Sequence, residues 1–280
     1  MRTTAYAMRL AQTSAFPTDS LYGFSVEVSC FSAGRMDLLQ FNLERALGKE
    51  GCAICRLRQE AEARYLFSFL WEFVNDPGVR EHLVNALGFC HAHAWQLQET
   101  EQNQFGSGLG TAIVYEDLMR HALANIGRLQ AKRERSWFTR TRRLLGERLA
   151  PETGRARRRA LPGGLVPREE CRVCVTGRST EQSHLQSLLD HCADTRFREQ
   201  FRASDGLCLP HLRGALEIAE DDAARAFLME TAQEQVRTLA NQLREYIRKH
   251  SWDHRDEPKL PEEQSAWIRA VEFFAGKKSV

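Results

Sequence analysis

No stretch of the chain approaches the roughly 18 consecutive apolar residues that suggest a membrane-spanning helix. A compact apolar segment of the secretory type is also missing near Met1, so the expected location is the cytoplasm. Charge of one sign is lacking: 39 basic side chains stand against 37 acidic ones, so no global field draws the chain toward nucleic acid or a lipid surface. No segment alternates apolar and polar residues for long, which leaves an all-α fold as the expectation. Nor is there a Ser-nucleophile elbow, a phosphate-cradling Gly loop or a His-Glu-x-x-His helix, and an enzyme is the least supported reading. Eight cysteines in 280 residues are too few for a disulfide scaffold, and six of them cluster with histidines as thiolate ligands do in a reducing compartment.

What the chain does contain is a repeat. Its first copy reads Cys52-Ala-Ile-Cys55, then Gly88-Phe89-Cys90-His91-Ala92-His93, with Cys90 35 positions after Cys55. Its second reads Cys171-Arg-Val-Cys174, then Gly206-Leu207-Cys208-Leu209-Pro210-His211, with Cys208 34 positions after Cys174. The spacers align too. Ser68 and Leu70 match Ser187 and Leu189 at an offset of 119, and Asp76, Arg80 and Glu81 match Asp194, Arg198 and Glu199 at 118. Tandem self-similarity of this kind points to a pseudo-symmetric helical repeat.

Comparison of the copies selects the ligands. His93 faces His211, whereas His91 faces Leu209, and Cys30 and Cys192 fall outside the pattern as small apolar fillers. Three thiolates and one imidazole complete a tetrahedron with no open position, so two Cys3His sites are expected to hold structure rather than activate water. Zinc, two ions per chain, is the first choice; an iron-sulfur cluster is the alternative because soft thiolates suit both. Cys52, Cys55, Cys90 and His93 are expected to close one site, and Cys171, Cys174, Cys208 and His211 the other. Helix lengths complicate this: about 30 Å of outgoing helix from Cys55 is followed by only about 17 Å of return. A first helix that begins later or tilts closes the gap within each copy; exchange of ligand pairs between copies, with Cys52 and Cys55 meeting Cys208 and His211, is the other solution.

Helical spacing is expected from Cys55 through Leu66, Phe69, Leu70, Phe73 and Val74, with Asp76-Pro77-Gly78 as the stop. A return helix runs to Leu87, and Gly88 ends it in the left-handed conformation. Cys90 then opens a third helix, and a long fourth carries Ile113, Tyr115, Leu118, Ala122, Ile126 and Leu129. The second copy repeats this order. A final helix from Pro261 offers Trp267, Ile268, Val271 and Phe274 as a docking stripe. The resulting division is a poorly ordered extension over 1–35, with Met36 as an alternative start; repeat one over 36–145; a basic Gly/Pro/Arg linker over 146–169; repeat two over 170–250; and a C-terminal helix over 251–280.

Other candidates have bland readings that outweigh them. Twelve Lys or Arg between Arg128 and Arg159, with Trp137 and Phe138 among them, can form a nucleic-acid patch, but a solvated helix end plus linker accounts for them. Glu116, Asp117 and Glu230 read as surface charge, and His191 with Cys192 as packing at a helix end. Trp71 and Trp95 are expected to shield the first site.

At its Cys-x-x-Cys and Gly-Phe-Cys-x-x-His motifs the sequence resembles an uncharacterised prokaryotic family of unknown function, whose members carry Cys-Pro-x-Cys, Gly-Phe-Cys-x-x-His and a second such pair. The resemblance covers about Met36 to His250. Ala53 and Arg172 stand where the family usually has proline, which loosens each knuckle but removes no ligand. The family carries no established activity, so the expectation is a structural binding or adaptor module with an unknown protein partner. An iron-sulfur or thiol-based redox sensor is the runner-up.

Overall fold

Helix α2 (Ala53–Ser68) lies along α6 (Arg172–His191), and this pair makes the most extensive helix contact among the described residues. The computed structural model describes residues 38–144 and 164–278, all within one compact unit, Met36–Val280. The other helices are α1 (Leu38–Leu47), α3 (Pro77–Ala86), α4 (His91–Phe105), α5 (Leu109–Leu144), α7 (Thr195–Ala203), α8 (Leu209–Ile218), α9 (Asp222–Arg248) and α10 (Pro261–Ala275). Among the described residues there is no strand, so the architecture is all-α. No described helix is long and apolar enough to cross a membrane. The 1–35 extension and most of the basic segment, whose side chains are described only as far as residue 131, lie outside the described residues.

Local chemistry explains why the repeated Asp and Arg recur. Asp76 caps α3 by accepting from the Val79 amide at 2.8 Å, and Asp194 caps α7 by accepting from Arg196 at 2.9 Å. Arg80 Nε donates to the Val74 carbonyl, and Arg198 Nε to the Cys192 carbonyl, so each arginine clamps the turn that precedes its helix. These four residues hold corners, not ligands.

Two expectations change in this region. The helix after Cys55 does not continue as α to Val74 but closes with a π turn over Phe69–Phe73. Phe69 and Val74, five apart, are both buried, while Phe73 is exposed. The return helix ends one residue earlier than expected, with Leu87 itself left-handed at φ 57°, followed by Gly88 at φ 95°. Gly88 N–H donates to Leu83 O at 2.8 Å and Leu87 N–H to Val84 O at 3.3 Å, the two bonds of a Schellman stop.

Packing crosses between the copies. Leu43, Leu47, Ile54 and Leu57 from the first copy's side join Leu185, Leu188, Phe197, Phe201, Phe227 and Leu228 in one apolar cluster. Val173 from the second copy joins Leu66, Phe69, Leu83, Phe89, Leu97 and Val114 in the other. Helix α10 docks on α9 through Ala266, and Glu263 there accepts from Lys249 at 2.8 Å with both groups buried. Trp267, Ile268, Val271 and Phe274, expected to dock, instead face outward. Ala266 permits the close approach that bulky residues would prevent.

Candidate metal centres

Cys52, Cys90, Cys171 and Cys208 are the N-caps of α2, α4, α6 and α8. Each second ligand, Cys55, His93, Cys174 or His211, follows three residues later in the first turn, so both donors of a pair project from one helix start. The N-terminal ends of helices carry partial positive charge, which favours thiolate over thiol.

All eight predicted ligands come together, in two groups of four: Cys52, Cys55, Cys208 and His211, and Cys90, His93, Cys171 and Cys174. Ligand pairs are thus exchanged between the copies, correcting the expected closure within each repeat. The physical reason is length: α2 and its π turn carry the chain out about 30 Å, α3 returns about 15 Å, and Cys90 meets the start of α6 instead of the start of α2. The two centres are the α2–α8 site and the α4–α6 site.

Within each group the donor atoms lie within 4.8 Å of one another. Sulfur pairs stand at 3.6 Å for Cys55 and Cys208 and 3.5 Å for Cys90 and Cys174. His211 Nδ1 is 3.4, 3.3 and 3.0 Å from the sulfurs of Cys52, Cys55 and Cys208. His93 Nδ1 is 3.1, 3.6 and 3.3 Å from those of Cys90, Cys171 and Cys174. A tetrahedral ion with bonds of about 2.3 Å to sulfur and 2.0–2.1 Å to nitrogen sets donor separations of about 3.6–3.8 Å. The donors therefore fit a single ion at each site, and all the cysteines here are free thiols rather than disulfides.

The charges respond to this crowding. Burial pushes the Cys171 thiol up, but His93 and the backbone amides of Cys90, Cys174 and Val173 bring it down to about 6. Burial and the neighbouring Cys90 push Cys174 up to about 12. In the other group, contacts with Cys208 and Cys55 hold Cys52 well below the ordinary thiol value, while Cys52 and Cys55 raise Cys208. Thiols in one small space are driven apart because they cannot all ionise together; a shared cation removes that conflict.

Beyond the ligands lies a layer that sequence reading missed. His93 turns its Nε2 to Glu62 Oε2 at 3.5 Å, and His211 turns its Nε2 to Glu181 Oε1 at 3.3 Å. Each imidazole thus offers Nδ1 to the sulfurs and Nε2 to a carboxylate, an arrangement that fixes tautomer and ring orientation in metal sites. Glu62 and Glu181 are separated by 119 positions, the repeat offset, so the copies could have revealed them. Arg58 donates to both, through Nε to Glu62 at 2.9 Å and Nη1 to Glu181 at 3.0 Å.

Opposite Arg58 in the repeat stands Gly177, buried within α6. A Cβ there would lie 2.2 Å from Glu62 Oε1 and 3.2 Å from Arg58 Nε. Alanine ordinarily stabilises a helix over glycine by about 1 kcal/mol. Gly177→Ala is nonetheless expected to lower the thermal midpoint and weaken metal binding at the α4–α6 site, because Glu62 must leave His93 to make room. Thermal melts with metal titration check this; a raised midpoint with unchanged affinity would refute it.

The α2–α8 site is covered by the chain's end. Lys277 N–H donates to Cys55 Sγ at 3.4 Å, and Gln59 holds the Lys277 and Lys278 carbonyls at 3.1 Å each. Gly276, at φ 82°, passes so close that a Cβ would stand 3.3 Å from Cys55 Sγ. A cavity of about 390 Å³ opens beside Cys52 and Cys208, walled by α9 and α10 residues including Leu239 and Phe273.

The remaining candidates stay apart from both centres. Cys192 is buried, its thiol pushed up to about 11 by that burial, and His191 Nδ1 pairs with the Ser187 carbonyl. Glu116 pairs with Arg120, Asp117 with Arg80, and Glu230 is exposed. Trp71 and Trp95, expected to shield the first site, are 67% and 60% exposed, and Trp71 stacks with Phe67 and Phe105.

A family model described as a family of unknown function matches residues 37–280, which extends the resemblance through α10. A relative from Caldicellulosiruptor sp. (strain Rt8B.4), described as an uncharacterised 23.9 kDa protein in the xynA 3′ region, is 23% identical over 229 residues, covering 81% of this chain and 96% of its own. No solved structure matches the chain.

Proposed function

The chain belongs to this family, DUF6062, and from that premise we propose that it is a structural metal protein, with one zinc ion in each Cys3His centre, that serves as a binding or adaptor module in the cytoplasm. The carrying observation is the convergence of two sets of four donors, each drawn from both copies. Four protein ligands leave no coordination position for substrate or water, so the ions hold helices together. We read the two copies as a pseudo-two-fold pair locked through these ions.

Donor spacing favours a mononuclear ion over a cluster. Two- and four-iron clusters spread their ligands over several metal atoms, whereas here all four donors crowd within 4.8 Å of one another. The binding role draws support from the outward stripe of Trp267, Ile268, Val271 and Phe274, each at least 46% exposed on α10. The second reading, a thiol-based sensor, rests on the sulfurs that face each other across the copies, Cys55 with Cys208 and Cys90 with Cys174.

Elemental analysis with visible spectroscopy on an anaerobic preparation tests the proposal. A colourless protein with about two zinc per chain is expected. Brown protein with visible absorption would replace zinc by iron-sulfur, and neither metal with reversible dithiol oxidation would leave the sensor.

A further inference from the structure

One arginine touches the supports of both centres. The path runs His93, Glu62, Arg58, Glu181, His211, each link a polar contact of 2.9–3.5 Å. The Glu62 side chain is 7% exposed and that of Glu181 25%, while Arg58 between them keeps 38% of its side chain open to solvent, so the path is sealed at its Glu62 end and reached by water at its centre. The repeat abandons its own symmetry here: where a second arginine would project from α6 there is Gly177, and the Cβ of any other residue would strike the Glu62 carboxylate. The single guanidinium that lies between the two carboxylates, that of Arg58, serves both.

We infer that Arg58 couples the two metal centres, so that filling either one raises the affinity of the other. The inference rests on the metal-binding reading above and adds a regulatory property to it. An ion at the α4–α6 site fixes the His93 ring through Nδ1, which fixes Glu62 through Nε2. Glu62 in turn selects the Arg58 rotamer that presents Nη1 to Glu181. Arginine is a rotamer-rich side chain whose planar fork, once oriented, loses little more on making a second bond. The second ion therefore meets a His211 whose carboxylate support is already in place, and the ordering cost is borne once rather than twice. The path has no direction, so the coupling is reciprocal. Its consequence is a population in which the singly loaded form is depleted in favour of doubly loaded and bare chains.

Native mass spectrometry during a cobalt(II) titration of the full-length, demetallated protein counts bare, singly and doubly loaded chains directly. Independent equal sites give about one half singly loaded at half-saturation, and a tenfold coupling lowers this to about one quarter. Wild type is expected near the lower figure, with Arg58→Met returning the fraction to one half or above. Glu181→Gln, which keeps a hydrogen-bond acceptor for His211 but gives up the charge that holds Arg58, is expected to do the same and stands in if Arg58→Met does not fold. Because mass counts ions without locating them, the two centres of the Glu181→Gln variant are also followed by their separate cadmium-113 resonances; weaker filling of the α4–α6 site there is an effect that local damage at Glu181 does not produce. A wild-type fraction of one half or more, or equal fractions in wild type and the variants, overturns the coupling. Failure of wild type to bind cobalt at all overturns the metal-binding reading instead.

Discussion

Cys208→Ser is expected to leave one tightly held ion in place of two and to loosen both copies together. Cys208 lies in the second copy, but its partners Cys52 and Cys55 lie at the start of α2. The same centre sits within the apolar cluster formed by Leu43, Ile54 and Leu57 with Leu188 and Phe227. Loss of the ion therefore frees α1 and the first turns of α2 as well as α8. Structural zinc contributes an apparent 10–16 kcal/mol in small metal-dependent folds, against a typical domain stability of about 5–15 kcal/mol. Even a fraction of that figure is a large part of the total, so a strongly lowered thermal midpoint is expected. Hydrogen exchange gives the sharper readout: amides of α1 and early α2 lose protection along with those of α8, while α4 and α5 keep theirs. Loss confined to the second copy would mean that each repeat closes its own site.

Glu62→Ala carries the second-largest effect, and its location is the informative part. Glu62 lies on α2, the helix that supplies Cys52 and Cys55 to the α2–α8 site, yet it faces His93 of the other centre. Burial raises its pKa, but His93 and Arg58 outweigh that and hold it below the ordinary carboxylate value, so it meets the imidazole as an anion. Removing a carboxylate that orients a ligating histidine typically lowers metal affinity 10–100-fold. The α4–α6 site is expected to weaken by about that factor and the α2–α8 site by less, through the shared arginine. Glu62→Gln keeps an acceptor for Nε2 and should fall between. Competition with a chromogenic chelator, using Cys52→Ser and Cys90→Ser backgrounds to isolate each centre, measures both affinities. Equal weakening at both centres would remove Glu62 from this role.

The eight side chains that cluster were legible because two copies vote on each position: His93 survives against His211, and His91 fails against Leu209. Their partition between centres was not. It depends on how far α2, its π turn and α3 carry the chain, and the π turn over Phe69–Phe73 is invisible to a 3.6-residue reading. The same turn shifts helical phase, which is why Phe73 emerges exposed. Trp71 and Trp95, placed against the first centre by helical spacing alone, stand exposed, because spacing gives a face of the helix and not what covers it. Glu62 and Glu181 were readable at the repeat offset, but among 37 acidic residues nothing in their type marked them until each met a histidine. The stripe on α10 was real as a pattern and reversed as a contact, since small Ala266 can seat a helix more closely than Trp267.

Cadmium-113 substituted at both centres, with each resonance correlated through bonds to cysteine Hβ protons, reads ligand partition directly. Two resonances are predicted, one coupled to Cys52, Cys55 and Cys208 and the other to Cys90, Cys171 and Cys174. A resonance joining Cys52 and Cys55 to Cys90 would contradict the exchanged centres.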